Sequence, residues 1–393
     1  MNPDSRSFTY SQRRNFDPPQ SSPRRIVLTG GGSAGHVSVN LALIPVLQQR
    51  GWDVDYIGSD NGIEKKLIAE LPDVSYHAIA TGKLRRYFSL QNFTDPFRVL
   101  KGVGQSRRLI RQLKPDVVFS KGGFVSVPVV FGAWLNRVPA LIHESDYSPG
   151  LANRLALPFA SALCTTFPET AASVNAGRAG RNVNAKNKNG KGKAVQVGSV
   201  VRPSITAGDT ARGFARLGFD GGKPVLLAAG GSLGSQALNG NLRRNLSALL
   251  ERFDVVHLCG RSGLDPRLEG RDGYRQFEFL NEELPDVLAA AGIVFSRAGS
   301  NAIFEFLALR RPMLLCPLGR SQSRGDQILN ADSFVRAGYA ESIDEESWSD
   351  EEFLRKLDLL LAQRETYAAR MEAAGEGNSL ELLLRQIEET VSR

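Results

Sequence analysis

The chain has little cysteine, no long apolar run and fewer acidic than basic residues, and each shortage narrows what it can be. Its 393 residues hold three cysteines, Cys164, Cys259 and Cys316. They are odd in number, far apart, and each follows aliphatic residues at the end of a candidate strand. This spacing makes neither a disulfide framework nor a zinc site, so buried reduced thiols are expected. No apolar run approaches the roughly 18–20 residues of a membrane span, and Met1–Pro23 lacks the apolar stretch of a secretory signal. A cytoplasmic protein is expected. Basic residues outnumber acidic ones by 49 to 41, giving a net charge of +8. That balance suits an anionic partner: nucleic acid, lipid headgroups or a phosphorylated substrate.

What is present is a pair of glycine-rich loops, each between an apolar strand and a helix. Gly30-Gly31-Gly32-Ser33-Ala34-Gly35-His36 follows Ile26–Thr29, and Gly230-Gly231-Ser232-Leu233-Gly234-Ser235 follows Val225–Ala229. Such loops let backbone approach a phosphate, and the helix that follows aims its free N–H groups and positive dipole end at the anion.

Strand and helix patterns alternate around both loops, the signature of an α/β protein with doubly wound parallel sheets. The first series has strands at Ile26–Thr29, Val54–Ile57, Val117–Ser120, Ala140–His143 and Leu163–Thr165, with helices such as Val37–Arg50 and Ser106–Leu113. A second series has Val225–Ala229, Val255–Cys259, Gln276–Phe279, Ile293–Ser296 and Met313–Cys316. The expected division is a disordered tail at 1–24, one Rossmann-like domain at 25–199 and a second at 200–364, facing a central cleft. C-terminal helices occupy 365–393, and the last, near Ser379–Val391, is expected to pack back on the first domain. The basic tract 175–193 has no apolar periodicity and reads as a solvated insert.

Gly30-x-Gly32-x-x-Gly35 also fits the dinucleotide fingerprint of a dehydrogenase, which expects an acid at the end of the second strand. That strand ends Tyr56-Ile57-Gly58-Ser59, with Asp60 just beyond, so the match is partial. The stretch Ser296–Phe306 competes better. Gly299, Ser300, Asn301 and Ala302 open a helix and can offer N–H groups to a diphosphate, while Glu305 lies one to two turns in, where a carboxylate can accept from both ribose hydroxyls. Inversion at a sugar carbon needs one base and a stabilised leaving group, and helix N-termini with Arg202 can supply the second without a metal. No tight Asp-x-Asp metal signature stands near either loop. His36 is the leading base; it could equally donate to a diphosphate. His143 and Glu144 end a strand at the cleft edge, whereas His77 and His257 read as structural.

Taken together, Gly30–His36, Gly122–Pro128, His143-Glu144-Ser145-Asp146, Gly230–Ser235, Arg297–Glu305 and Asp326–Ala331 resemble the MurG family of GT-B glycosyltransferases, family 28. The resemblance runs in order from about Arg25 to Gln363. It implies inverting transfer of N-acetylglucosamine (GlcNAc) from UDP-GlcNAc to lipid I, giving lipid II for peptidoglycan synthesis, with no cofactor. The first domain would bind the acceptor and the membrane, and the second the donor. On the donor it implies Arg202, Gly231, Ser232, Leu280, Ser300, Asn301, Ala302, Glu305, Asp326 and Gln327. On the acceptor and its phosphates it implies Gly31, Gly32, Ser33, Ala34, Gly35, Gly123, Ser126, His143, Glu144 and Asp146. The sequence departs from the commonest pattern at Ala34 (glycine), Asp146 (asparagine) and Asp326 (glutamine). Two such carboxylates would repel a phosphate unless paired.

A lipid acceptor requires a docking face. Lys83, Arg85, Arg86, Phe88, Phe93 and Phe97 mix basic and aromatic residues as an interfacial segment does. The resemblance adds an apolar patch at Trp134 and implies a peripheral protein on the cytoplasmic face of the cell membrane, with an anionic membrane surface as partner. The alternatives are a related enzyme that glycosylates another lipid or epimerises a UDP-sugar, and a nucleotide- or nucleic-acid-binding protein. No known nucleic-acid motif is present, so no nucleic-acid partner is expected.

Overall fold

The computed structural model describes residues 23–82, 91–177, 193–231, 234–320, 325–375 and 378–392. Short aliphatic runs buried on both faces build two all-parallel sheets, as expected when helices cover each side. The first comprises β1 (Arg25–Thr29), β2 (Asp53–Ser59), β3 (Val74–Ile79), β4 (Val117–Ser120), β5 (Ala140–Glu144), β6 (Ala162–Thr165) and β7 (Ala194–Gln196), ordered β3-β2-β1-β4-β5-β6-β7. The second comprises β8 (Val225–Ala229), β9 (Asp254–Leu258), β10 (Tyr274–Phe277), β11 (Ala291–Ser296), β12 (Met313–Leu315) and β13 (Ala340–Ser342), ordered β10-β9-β8-β11-β12-β13. Strand order reverses between β1 and β4 and again between β8 and β11. At such switch points a crevice opens outside the carboxyl ends of the strands, where ligands bind in open α/β sheets.

Sequence and structure differ at the sheet edges. Strands β3 and β13 went unread, because Val-Ser-Tyr-His-Ala-Ile is only partly buried and Ala-Glu-Ser has no apolar run; β10, expected over Gln276–Phe279, spans Tyr274–Phe277. The helix expected over Ser106–Leu113 spans Gln91–Leu113. Helix signals near the linker are local and plain: the Asp209 carboxylate accepts from Arg212 N, and Gly218 at φ 65° ends Thr210–Leu217.

The tract read as a solvated insert is folded at both ends, which corrects that expectation there. Asn175 exchanges two 2.9 Å hydrogen bonds with the Ala194 backbone, and the buried Lys193 ammonium donates to Leu157 O. Residues 178–192 lie outside the described residues, as does the tail through residue 22. The two C-terminal helices part company. Tyr367 and Met371 of Arg364–Ala373 join the core of the second sheet, whereas Leu383, Leu384 and Ile387 of Ser379–Val391 are buried in that of the first. Arg50 clamps the last helix through Glu381 at 2.6 Å and Glu388 at 2.9 Å.

All three cysteines are free and buried. His77 pairs with Asp55 at 2.7 Å, and the buried His257 lies between Tyr274 and Asn239.

Candidate functional site

At the β1/β4 switch point two glycine loops lie against each other. A Cβ on Gly123 would stand 2.1 Å from the Gly31 carbonyl oxygen, and one on Gly32 would stand 2.4 Å from the Phe124 ring. Both residues also adopt left-handed φ, 83° and 89°, so only glycine fits. Beneath the first loop the fully buried Glu64 carboxylate accepts from Ser59 N at 3.1 Å, Ser59 Oγ at 2.5 Å and Gly32 N at 3.2 Å. The Gly32 N–H is thus held by an internal carboxylate, although the residue itself is exposed.

The loop then passes through one 3₁₀ turn, Ala34–His36, before helix Ser38–Gln49 begins. That turn places Ser33 Oγ 3.1 Å from His36 Nδ1. The imidazole edge stands 3.7 Å from where a Cβ of Gly122 would be. His36 and the β4 loop therefore border one crevice.

Three residues expected at the acceptor's phosphate stand behind that crevice instead. Ser126 is fully buried at the start of helix Ser126–Leu135. His143 is 1% exposed, neither ring nitrogen has a hydrogen-bond partner among the described residues, and burial with the nearby Lys121 charge holds its pKa well below the ordinary value. Glu144 is occupied by its own loop, accepting from Asp146 N at 3.0 Å, Gly150 N at 2.8 Å and Asn153 Nδ2 at 2.9 Å. Burial raises its pKa, Asp146 adds to the rise, and these bonds oppose it. Sequence reasoning missed Lys121 and Asn153; each stands in or beside a motif, and neither carries a signal of its own.

The second crevice is open where the first is filled. Helix Ser300–Ala308 starts from Gly299 without a side-chain cap, so the first-turn N–H groups of Ser300, Asn301 and Ala302 are directed out of the helix end. A Cβ added to Gly231, Gly299 or Gly325 would meet nothing within 4 Å. Glu305, on the same helix, accepts from Arg202 Nη2 at 3.3 Å, which unites two expected donor residues across 103 positions. Burial raises the Glu305 pKa, and Arg202 opposes that rise.

Asp326 opens helix Asp326–Arg336 just after Gly325, and Gln327 Oε1 accepts from Leu318 N at 3.1 Å. Leu280 follows β10 and packs against the second core. Ser232 lies outside the described residues. Arg297, also missed, ties the surrounding loops together. Its guanidinium meets Glu345 at 2.5 Å, Ser235 Oγ at 2.7 Å and the carbonyls of Cys316 and Pro317 at 3.1 and 3.3 Å.

Two bridges join the crevices. Asn301 Nδ2 donates to Gly35 O at 3.4 Å and Ser38 Oγ at 3.3 Å, so this side chain reaches the first domain. Asn330 donates to Asp146 Oδ1 at 3.1 Å and accepts from Tyr147 N at 2.9 Å. Asp146 thus has an amide hydrogen-bond partner, with its charge left in place. Among the described residues no group of three His, Cys, Asp or Glu side chains is arranged to hold a metal.

Away from the crevices, the first domain presents an apolar face. Phe97 and Leu100 are 74% and 67% exposed. Trp134, half exposed, packs with Phe131 and Phe159 at ring distances of 5.3 and 5.2 Å. Lys83, Arg85, Arg86 and Phe88 lie outside the described residues, as does the Phe93 side chain. No described helix is long and apolar enough to cross a membrane.

Comparison with known proteins gives a consistent result. Residues 26–165 match the glycosyltransferase family 28 N-terminal domain and residues 225–387 the family 28 C-terminal domain. The UDP-N-acetylglucosamine–N-acetylmuramyl-(pentapeptide) pyrophosphoryl-undecaprenol N-acetylglucosamine transferase of Geobacillus kaustophilus is 55% identical over 367 residues, covering 93% of this chain and 99% of that protein. Its namesake in Geobacillus thermodenitrificans is 54% identical, with the same coverage. The crystal structure of Acinetobacter baumannii MurG has the same fold, with a TM-score of 0.72 at 23% identity over 93% of this chain and all of that one.

Proposed function

The chain belongs to glycosyltransferase family 28, and from that premise we propose that it transfers N-acetylglucosamine from UDP-GlcNAc to lipid I, giving lipid II for peptidoglycan synthesis. The observation that carries this reading is the 55% identity, nearly end to end, with a transferase named for that donor sugar and acceptor. The same likeness disfavours a UDP-sugar epimerase or a transferase for another lipid.

The donor occupies the second crevice and the acceptor the first. The N–H groups of Ser300, Asn301 and Ala302 hold the diphosphate, and Glu305 accepts from the ribose hydroxyls. Arg202 is 43% exposed and tied to Glu305 by a single 3.3 Å contact; it turns to the diphosphate when UDP arrives. Gly231, Ser232 and Leu280 border the nucleotide, and Asp326 and Gln327 read the sugar hydroxyls. The acceptor hydroxyl attacks the anomeric carbon opposite UDP, which inverts it. UDP leaves with the bonding electron pair, and the helix end and Arg202 stabilise its charge.

The hydroxyl proton goes to His36 in the base role. With Nδ1–H donated to Ser33 Oγ, the Nε2 lone pair is the acceptor. The other role, donation from the His36 ring to the acceptor's diphosphate, uses the opposite tautomer or the cation. The exposed face of Phe97, Leu100 and Trp134 docks the enzyme on the cytoplasmic face of the membrane, aided by basic groups on anionic lipid. A radiolabel assay offering several UDP-sugars with lipid I tests donor and acceptor together. Label should enter lipid II from UDP-GlcNAc alone; transfer from another sugar, or none to lipid I, would overturn the assignment.

A further inference from the structure

One buried charge in the first crevice has no role in the chemistry above. Lys121 follows β4 at the switch point, where its N–H donates to Thr29 O of β1 at 2.9 Å. Its Cβ stands 3.1 Å from where a Cβ of Gly30 would be. The side chain is 1% exposed. Its ammonium has three protons, yet among the described residues its one hydrogen-bond partner is Ser145 Oγ. No carboxylate is in ion-pair contact with it. Glu144 and Asp146 are the nearby acids, but Glu144 is held by its loop and Asp146 by Asn330. The other titratable neighbour, His143, has its pKa held well below the ordinary imidazole value by burial and by Lys121.

An ammonium cannot accept a hydrogen bond. Because Lys121 donates to Ser145 Oγ, the serine's own proton must point away from the lysine. Ser145 is half-buried, and the next residue, Asp146, touches the second domain, so its loop faces the cleft. We propose that Lys121 and Ser145 form one anion-binding unit, in which the buried ammonium orients and polarises the Ser145 hydroxyl as a donor to a diphosphate oxygen of the lipid-linked acceptor. Ser145 is the contacting group and Lys121 its positioning residue. This deepens the reading of the first crevice as the acceptor site and rests on it. A buried cation without a counter-ion is costly, and the arriving anion offsets that cost.

Burial pushes the Lys121 pKa down to about 8, with Glu144 and Asp146 opposing the fall. The unit is therefore charged below about pH 8 and weakens as the ammonium deprotonates above it.

The test titrates inorganic pyrophosphate, and UDP in parallel, into the full chain by calorimetry. Ser145→Ala, a half-buried truncation that should leave the fold intact, and Lys121→Met should each weaken pyrophosphate binding about tenfold, the scale of one charge-assisted hydrogen bond. UDP affinity should not change. The double variant should lose no more than either single one, because the residues act in series. Wild-type pyrophosphate affinity should fall above about pH 8, with that limb absent in Lys121→Met. No pyrophosphate binding by wild type, full affinity in folded Ser145→Ala, or additive losses would overturn the proposal. If Lys121→Met does not fold, the Ser145→Ala titration and its pH limb still decide. Wild-type transfer to lipid I with unaltered variants sinks this unit alone. Failed transfer with the variant pattern intact sinks the acceptor assignment and leaves the anion site standing.

Discussion

The two crevices each hold a glycine-led strand-to-helix junction, at Gly30–His36 and at Gly299–Ala302, and end in different chemistry. In the first, a glycine loop folds over an internal carboxylate, Glu64, which takes the Gly32 N–H, and a 3₁₀ turn delays the helix. In the second, the helix starts at once from Gly299 with no side chain across its end. A glycine-rich strand-to-helix junction thus makes an anion site only if nothing inside the protein reaches its N–H groups first. The first loop is a shaped wall carrying His36, and the second junction is an open cradle.

The largest expected effect strikes the filled loop. Glu64→Ala strands the buried Ser59 N–H and hydroxyl and releases the N–H of the exposed Gly32, and should cost about 3 kcal/mol of stability in denaturant titration, at roughly 1–3 kcal/mol per unmet buried group. A loss under about 1 kcal/mol would mean that glycine geometry alone shapes the loop. Next, His36→Ala should lower kcat about 100-fold, the usual reach of a general base. UDP affinity should stay unchanged, because the first crevice does not hold the donor. A kcat near normal with a raised acceptor KM would instead assign His36 to the diphosphate.

In the open cradle, Glu305→Ala should weaken UDP binding by about 1–3 kcal/mol, the scale of charged hydrogen bonds. Unchanged UDP affinity in the folded variant would remove Glu305 from the ribose. The smallest effect lies outside both crevices. Phe97→Ser with Trp134→Ser should reduce sedimentation with anionic vesicles by about 1–2 kcal/mol, since only shallow apolar insertion is lost. Transfer to a soluble short-chain acceptor should hardly change. Equal losses on soluble and membrane-embedded acceptors would take this face out of docking.

Legibility followed burial. Central strands such as Val117–Ser120 and Val225–Ala229 are apolar runs that match their sequence reading residue for residue, because both faces are covered. Of the partly covered edge strands, β3 and β13 left no comparable run, and β10 was read two residues out of place. The helix start at Gly299–Ala302 was legible, since a glycine before a helix carries its own geometry. Side-chain direction was not legible. Asn301 was expected at the donor and reaches Gly35, and Glu144 was expected at a phosphate and binds its own loop.

Two parallel α/β halves, the glycine-led junctions at 30–36 and 299–302 and the family motifs in order were readable from the chain alone, because periodicity and glycine placement act over a few residues. Only the tertiary structure decided which junction is open and which is filled, that Arg202 meets Glu305, that Asn330 answers Asp146, and that Lys121 is buried beside Ser145. The Arg202–Glu305 and Asn330–Asp146 contacts join residues 103 and 184 positions apart, and Lys121–Ser145 joins the ends of neighbouring strands. Their energies depend on burial and direction, which chain order does not encode locally.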